Sequence, residues 1–193
     1  MFEILLQSIQ QKVLLTSQQQ ELCTSFFTLR NLRKKEFLVR QHEICEYTVF
    51  VEKGVLRSYA TDAKGSEHIV QFAFEGWWMT DFHSFLTGEP SLLNIEAVED
   101  ADVLLTTKEA NDELFRQIPL MERYFRLLTQ NALMAMQRRM IVSLSHNAEE
   151  KYTRLLDTFP GILQKVPQHM IASYLGITAE TLSRIRKQIS IRK

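Results

Sequence analysis

Polar and charged side chains near the end of the chain could form hydrogen bonds with phosphates or with base edges of a nucleic acid. If residues 179–187 form a helix, Leu182 and Ile185 lie on its apolar face. The residues that then face outward are Ala179, Glu180, Thr181, Ser183, Arg184 and Lys187. A single helix is narrow enough for the major groove of DNA, where such groups distinguish base pairs. These residue types therefore predict a helix that binds double-stranded DNA.

A helix-turn-helix is the element that would position these side chains. Ile171 and Leu175 are apolar positions of a first helix, and Gly176 ends that helix because glycine adopts a left-handed conformation at little cost. Thr178 is a good N-cap for the second helix. The small residue Ala172 suits a close helix crossing. An ordinary helical hairpin with a solvated basic face is the alternative, but this combination favours a DNA-binding motif.

The net charge of the chain is zero because two parts of opposite charge cancel. The 193 residues include 23 basic and 23 acidic side chains. Residues 1–137 hold 13 basic and 19 acidic residues, a net −6, whereas residues 138–193 hold 10 basic and 4 acidic residues, a net +6. Such asymmetry is typical of a nucleic-acid-binding module joined to an acidic partner domain, although chance imbalance on solvated faces is the alternative.

The middle of the chain has the pattern of short strands between helical ends. The first 30 residues read as short helices. The predicted strands are Glu36–Arg40, Thr48–Glu52, Val55–Ala60, His68–Phe74, Asn94–Val98 and Ala101–Thr106. Turn signals such as Lys53-Gly54 separate them. Strands at this density predict a compact antiparallel barrel or roll, and so an α+β fold.

A long helix is predicted from Pro119 to about Ser145. Apolar residues recur every seven positions in two adjacent rows, which are Leu120, Leu127, Met134 and Ile141, and Met121, Leu128, Ala135 and Val142. The width of this stripe favours a homodimer helix over a helix packed only on its own domain. The expected dimer contacts are Leu120, Tyr124, Leu127, Met134 and Ile141. Asn131 and Arg138 interrupt the seam, so a plain coiled coil is not predicted.

On these residues the chain resembles the cyclic-AMP receptor / fumarate-nitrate regulator (Crp/Fnr) family of transcription factors. The resemblance is closest in residues 166–187, including Glu180-Thr181-Leu182-Ser183-Arg184, and at the glycines 54, 65 and 76. It implies a cyclic-nucleotide-binding-like β-roll (jelly roll) in residues 1–117, a dimerisation helix in 118–146 and a winged-type helix-turn-helix in 147–193.

The resemblance also implies roles for individual residues. Arg184 would contact a guanine and Glu180 would accept from a cytosine amine. The residues expected at phosphates are Gln168, Thr178, Thr181 and Lys187. Ala179 stands where some members carry a second base-reading Arg, so the target sequence should differ from theirs.

Two departures from the family pattern alter the expected ligand and the expected wing. The nucleotide cassette has Asp81 at its Glu position and Ser91 at its Arg position. A phosphate buried without a cation is costly, so tight binding of cyclic AMP is not expected. The pocket candidates are Trp78, Asp81, Phe82, His83, Phe85 and Ser91; their aromatic rings either fill the pocket or line a site for a more apolar effector. Only six residues follow Lys187, so the wing is expected to be short or absent.

Other function classes are disfavoured. No run of about 18 apolar residues predicts a membrane span. Cys23 and Cys45 are too few and too far apart for an iron–sulfur cluster, and two unpaired thiols suit the cytoplasm. The five histidines lack metal-ligand spacing, and the common catalytic motifs are absent, so neither a metal site nor an enzyme is expected. The competing hypothesis is a sensory or scaffold protein that keeps the helix-turn-helix only for packing.

Overall fold

The computed structural model describes residues 2–192, and for residues 190–192 it describes the backbone alone. The helices are α1 Glu3–Gln10, α2 Ser17–Thr24, α3 Phe82–Thr87, α4 Lys108–Gln117, α5 Pro119–Ser145, α6 Ala148–Thr158, α7 Ile162–Lys165, α8 Gln168–Leu175 and α9 Ala179–Arg192. The strands are β1 Thr28–Leu32, β2 Phe37–Val39, β3 Tyr47–Lys53, β4 Leu56–Thr61, β5 Glu67–Ala73, β6 Trp78–Met79, β7 Asn94–Ala97 and β8 Ala101–Thr107.

Two antiparallel sheets form the predicted roll. One has the strand order β1-β8-β3-β6 and the other has the order β2-β7-β4-β5. Because side chains alternate along a strand, each sheet turns one set of residues toward the other sheet. Val49 and Val51 of β3 lie in the same buried cluster as Ile95 and Ala97 of β7. This inner core holds the two sheets together.

The six predicted strands are confirmed, with ends displaced by at most one residue. The prediction of helices through the first 30 residues is wrong at its end, because β1 pairs with β8 and places Thr28 opposite Leu105. The two-residue strand β6 was also not predicted, and it pairs Trp78 with Phe50. β6 is too short to show an alternation, and β1 has only two apolar residues, which do not alternate, so each strand is recognised only by its pairing with a neighbouring strand.

The first half of α5 packs on the chain's own roll. Met121 and Tyr124 are fully buried in a cluster with Phe50 of β3. The Tyr124 hydroxyl accepts a hydrogen bond from Trp78 Nε1 at 3.1 Å and lies 2.8 Å from Ser8 Oγ. The prediction that Tyr124 contacts a second chain is therefore wrong. Its ring packs in the chain's own core and its hydroxyl contacts Trp78 and Ser8, so Tyr124 anchors α5 to β6 and α1.

The second half of α5 exposes a broad apolar face. Its exposed large apolar residues are Leu133, Met134, Met136, Met140, Ile141 and Leu144. Two of the predicted dimer residues, Met134 and Ile141, belong to this face. Leu120 is 37% exposed and Leu127 is half-buried. The apolar stripe therefore enters the chain's own core at one end of the helix and faces outward at the other.

The helices after α5 pack on the outer face of the β2-β7-β4-β5 sheet. Tyr59 and Phe72 on this face share a buried cluster with Leu155 of α6 and Ile171 of α8. The rings of Phe72 and Tyr174 have centroids 5.3 Å apart. The C-terminal helices and the roll therefore share one hydrophobic core instead of being joined only through α5.

A buried charge cluster lies on the same outer face. The Arg57 guanidinium donates to Glu96 Oε1 from Nε at 2.7 Å and reaches Glu67 Oε2 from Nη1 at 2.5 Å. It also lies 4.1 Å from the centre of the Tyr59 ring. Both Arg57 and Glu96 are about 95% buried, at 5% exposure each. Because the opposite charges meet directly, the cation is compensated where water is excluded.

Candidate nucleic-acid interface

The turn between α8 and α9 has the geometry that the sequence predicts. Gly176 adopts φ = 67°, in the left-handed region that glycine tolerates. The amide of Ile177 donates to the carbonyl of Ala172 and that of Gly176 to the carbonyl of Ser173, both at 3.0 Å. These paired bonds satisfy the last carbonyls of α8 and end the helix. The turn therefore fixes the direction in which α9 leaves α8.

The first turn of α9 is capped as expected. The Thr178 Oγ1 accepts from the amide of Thr181 at 3.2 Å. The pKa of Glu180 is lowered, first by a hydrogen bond from its own backbone amide and then by the Thr178 hydroxyl. A carboxylate at a helix N-terminus is also favoured by the helix dipole. Glu180 is therefore held as an anion at the N-terminal end of α9.

The predicted DNA-contacting residues of α9 lie on the face opposite its buried side chains, and Gln168 of α8 and Thr178 of the turn are also exposed. Leu182 and Ile185 are buried against the other helices, so α9 presents its opposite face. The exposed members of the predicted set are Gln168, Thr178, Ala179, Glu180, Ser183, Arg184 and Lys187, and Thr181 is half-buried. Arg184 Nη2 donates to Thr181 Oγ1 at 3.3 Å, which steadies the guanidinium along the helix. The spacing 180, 183, 184 and 187 follows a single helical face.

The C-terminal region differs from a strand-supported winged helix over the residues that the structure describes. The segment between α6 and α8 contains the short helix α7, Ile162–Lys165. From Lys108 to the end of the described range, all regular elements are helices, and α9 continues to Arg192. Lys193 lies outside the described residues. Between residues 108 and 192, the groups available for phosphate contacts therefore lie on helices and turns.

The two nucleotide-cassette positions in the roll bind each other. Ser91 Oγ donates to Asp81 Oδ2 at 2.7 Å. The other carboxylate oxygen, Oδ1, accepts from the amides of His83 at 3.1 Å and Ser84 at 3.3 Å. Ser91 is fully buried and Asp81 is 6% exposed. Asp81 thus serves as the N-cap of α3, and its hydrogen-bonding capacity is used within the chain.

The remaining pocket candidates do not gather around one cavity. Phe85 lies in the inner core of the roll, and Trp78 packs in the other cluster beside Tyr124. Phe82 is 54% exposed, and the exposed His83 imidazole lies 3.0 Å from Glu89 Oε2. These aromatic side chains therefore lie in separate parts of the roll, with Trp78 on β6 and Phe82 and Phe85 on α3.

Two residues beside the motif were not predicted from the sequence. Arg139 of α5 and Ser173 of α8 both bind backbone groups of β5. Their residue types do not indicate this role. In the sequence, Arg139 is one of several basic residues and Ser173 is a polar position of a short helix. Only the docking of α8 on β5 brings them together.

Neither a metal site nor a membrane span is found in the described range. No group of three or more His, Cys, Asp or Glu side chains is arranged to hold a metal ion between residues 2 and 192. Within the same residues no helix is both long and apolar enough to cross a bilayer.

The chain is similar to known proteins over most of its length. Residues 29–118 match the family described as cyclic nucleotide-binding domain. The transcriptional activator protein Anr of Pseudomonas protegens is 24% identical over 167 residues, which cover 81% of this chain and 68% of Anr. FixK2 from Bradyrhizobium japonicum is 24% identical with a TM-score of 0.72, covering 86% of this chain and 85% of FixK2. The c-di-GMP responsive regulator CLP of Xanthomonas campestris is 12% identical with a TM-score of 0.75, covering 92% of this chain and 93% of CLP.

Proposed function

We propose that the chain is a transcription regulator of the Crp/Fnr family that reads the major groove of double-stranded DNA with the exposed face of α9; its similarity to Anr and to the cyclic nucleotide-binding domain family supports this proposal. The exposed row of Glu180, Ser183, Arg184 and Lys187 is the single observation that carries this proposal. The planar guanidinium of Arg184 matches the two acceptors of guanine, and Glu180 can accept from cytosine. Lys187 supplies a cation for the phosphate backbone.

The active form is a homodimer that pairs through the second half of α5. Exposed apolar surface of this extent on one helix is typical of an interaction site. Met134 and Ile141 lie seven residues apart on that surface and are both exposed, which supports helix-to-helix pairing. Two recognition helices related by a two-fold axis then meet successive major grooves, about 34 Å apart. The operator is accordingly a palindrome.

Cyclic AMP is not the effector. The cyclic phosphate would meet Ser91, which is neutral and fully buried at the position where the family cassette carries an Arg, and a phosphate buried without a cation is costly. The regulator senses a different small molecule or works without one. The hydrogen bond between Ser91 and Asp81 supports this proposal, because it already occupies the groups that face each other across the cassette.

The decisive experiment selects duplexes from a random-sequence library and measures their binding by fluorescence anisotropy at several salt concentrations. Binding that favours a palindrome and weakens steeply with salt is the expected result, since phosphate contacts release counterions. Absence of binding to any duplex at low salt would instead favour the scaffold hypothesis. Isothermal titration with cyclic AMP tests the effector proposal, which micromolar or tighter binding contradicts.

A further inference from the structure

The side chain of Ser173 on α8 completes the hydrogen bonding of the edge strand β5. Its hydroxyl donates to the carbonyl of Glu67 at 2.6 Å and accepts from the amide of Ile69 at 3.1 Å. An edge strand presents backbone groups that its own sheet does not pair. Ser173 thus occupies the place that a neighbouring strand would take, and it fixes α8 at one position along β5.

Arg139 on α5 extends the same attachment. Its Nη2 donates to the carbonyl of Ile69 at 3.1 Å and to the carbonyl of Tyr174 at 3.3 Å. Its Nη1 donates to the carbonyl of Val70. The guanidinium lies 4.0 Å from the centre of the Tyr174 ring, at stacking distance. We call the contacts of Arg139 and Ser173 with β5 and α8 the β5 junction.

The β5 junction joins three elements with different roles. Arg139 belongs to α5, the proposed dimer helix; Ser173 and Tyr174 belong to α8, the first helix of the DNA-reading motif. The turn at Gly176 fixes α9 relative to α8. The junction therefore links the dimer axis to the recognition helix through side-chain contacts, in addition to the covalent connection through α6 and α7. The guanidinium is suited to this task because it donates to several acceptors in one plane.

The exposed face of α9 is compatible with this docked arrangement. Arg184 and Lys187 remain exposed while α8 rests on β5. Docking of α8 on β5 therefore leaves the exposed face of α9 accessible. It constrains the position of α9 and does not block its access to DNA.

We propose that Arg139, acting through the β5 junction, sets the distance between the two recognition helices of the dimer and thereby the half-site spacing that the regulator accepts. Arg139 is a positioning residue that acts through α8. This inference rests on the proposed DNA-binding dimer and adds to it the determinant of operator geometry.

The test compares wild-type protein with Arg139→Ala on palindromic duplexes whose half-sites are moved apart or together by one and two base pairs. We expect the wild type to prefer one spacing by about tenfold or more in Kd, equivalent to ~1.4 kcal/mol. The variant should lose most of that preference. Its affinity for a single half-site should match that of the control Arg138→Ala, which removes the same charge from an exposed position next to it on α5.

The outcomes separate this inference from the proposed function. If the wild type binds no duplex, the proposed function is wrong and the spacing inference is wrong with it. If the wild type binds with a clear spacing preference and Arg139→Ala keeps the same preference, only the spacing inference is overturned. A uniform loss at all spacings, equal in Arg139→Ala and Arg138→Ala, also overturns it, because charge alone then explains the effect.

A second variant and a DNA-independent measurement keep the test valid if Arg139→Ala does not fold. Ser173→Ala removes the hydroxyl that binds the Ile69 amide, so hydrogen exchange at that amide, followed by NMR, should accelerate. The same variant should relax the spacing preference. Unchanged exchange at Ile69 together with an unchanged spacing preference would overturn the proposed role of the β5 junction.

Discussion

The Ser91 hydroxyl donates a 2.7 Å hydrogen bond to the Asp81 carboxylate in the interior of the roll. Ten residues separate the two along the chain, and α3 together with the loop that follows it brings them together. A carboxylate excluded from water needs such donors, because each lost partner leaves part of its charge unsolvated. The two positions that would hold a nucleotide therefore contribute to the stability of the roll.

Replacing Ser91 by Ala should lower the free energy of unfolding by about 1.5–3 kcal/mol, the usual contribution of a hydrogen bond to a charged group. Urea denaturation followed by circular dichroism measures the change. Ser66→Ala at the exposed β4–β5 turn is the matched control, and a surface substitution of this kind stays within about 0.5 kcal/mol. Equal effects of the two substitutions would show that the Ser91–Asp81 bond adds little.

Substituting Arg184 by Ala should weaken binding to the selected operator by about 1–3 kcal/mol and relax the base preference at one position of each half-site. Lys187→Ala provides the comparison. Its loss should weaken binding to all sequences and reduce the salt dependence. Selection of operators with each variant measures both effects. An unchanged base preference in Arg184→Ala would contradict the assignment of Arg184 to a base edge.

A charge in the exposed apolar face of α5 should dissociate the dimer. Met134→Glu places a carboxylate where the helices are proposed to meet, and its desolvation should raise the dimer Kd at least about tenfold, or ~1.4 kcal/mol. Sedimentation equilibrium at micromolar concentration measures the shift. Gln130→Glu, an exposed polar position on the same helix, should leave the dimer intact. Wild-type protein that sediments only as a monomer would contradict the pairing itself.

Removal of Arg57 should destabilise the protein far more than removal of an exposed arginine. Arg57→Ala leaves the buried Glu96 carboxylate without its main partner, and breaking a buried pair costs about 3–5 kcal/mol. Arg30 pairs with Glu36 at 3.1 Å, but its side chain is 41% exposed. Exposed pairs contribute about 0–1 kcal/mol. Thermal unfolding of Arg57→Ala and Arg30→Ala should differ accordingly, and similar midpoints would contradict the buried-pair argument.

The Cys23 thiol should resist alkylation in the native protein. Burial raises its pKa to about 12. The thiolate is the reactive form, and at pH 8 a group with that pKa is about one part in 10⁴ ionised. The rate of Cys23 alkylation in the native protein should therefore be far below the rate in the unfolded chain, and it should increase as the pH rises. Iodoacetamide labelling with peptide mass spectrometry, with and without guanidinium, measures both. Labelling of native Cys23 at the unfolded rate would contradict the prediction.

Local signals in the sequence were sufficient to predict the DNA-reading motif. Gly176 and Thr178 act on their immediate neighbours, so their types alone predict where α8 ends and α9 begins. Six of the strands were predictable for the same reason, since turn residues and alternation are read over a few positions.

Features that depend on distant partners were not predictable. The strand at Thr28–Leu32 exists because β8 lies beside it. Tyr124 fits the sequence pattern of a dimer helix, but its hydroxyl contacts Trp78 and Ser8 of the same chain. The bond from Ser91 to Asp81 requires the path of the chain through α3, which no residue spacing specifies.

The shared outer core has a consequence for separating this chain into parts. Without the C-terminal helices, the apolar face around Tyr59 and Phe72 and the backbone of β5 next to Ser173 would be open to water. An exposed edge strand beside an apolar surface pairs readily with other chains and aggregates. An isolated roll should therefore be poorly soluble, and the roll and the helix-turn-helix cannot be exchanged as independent modules.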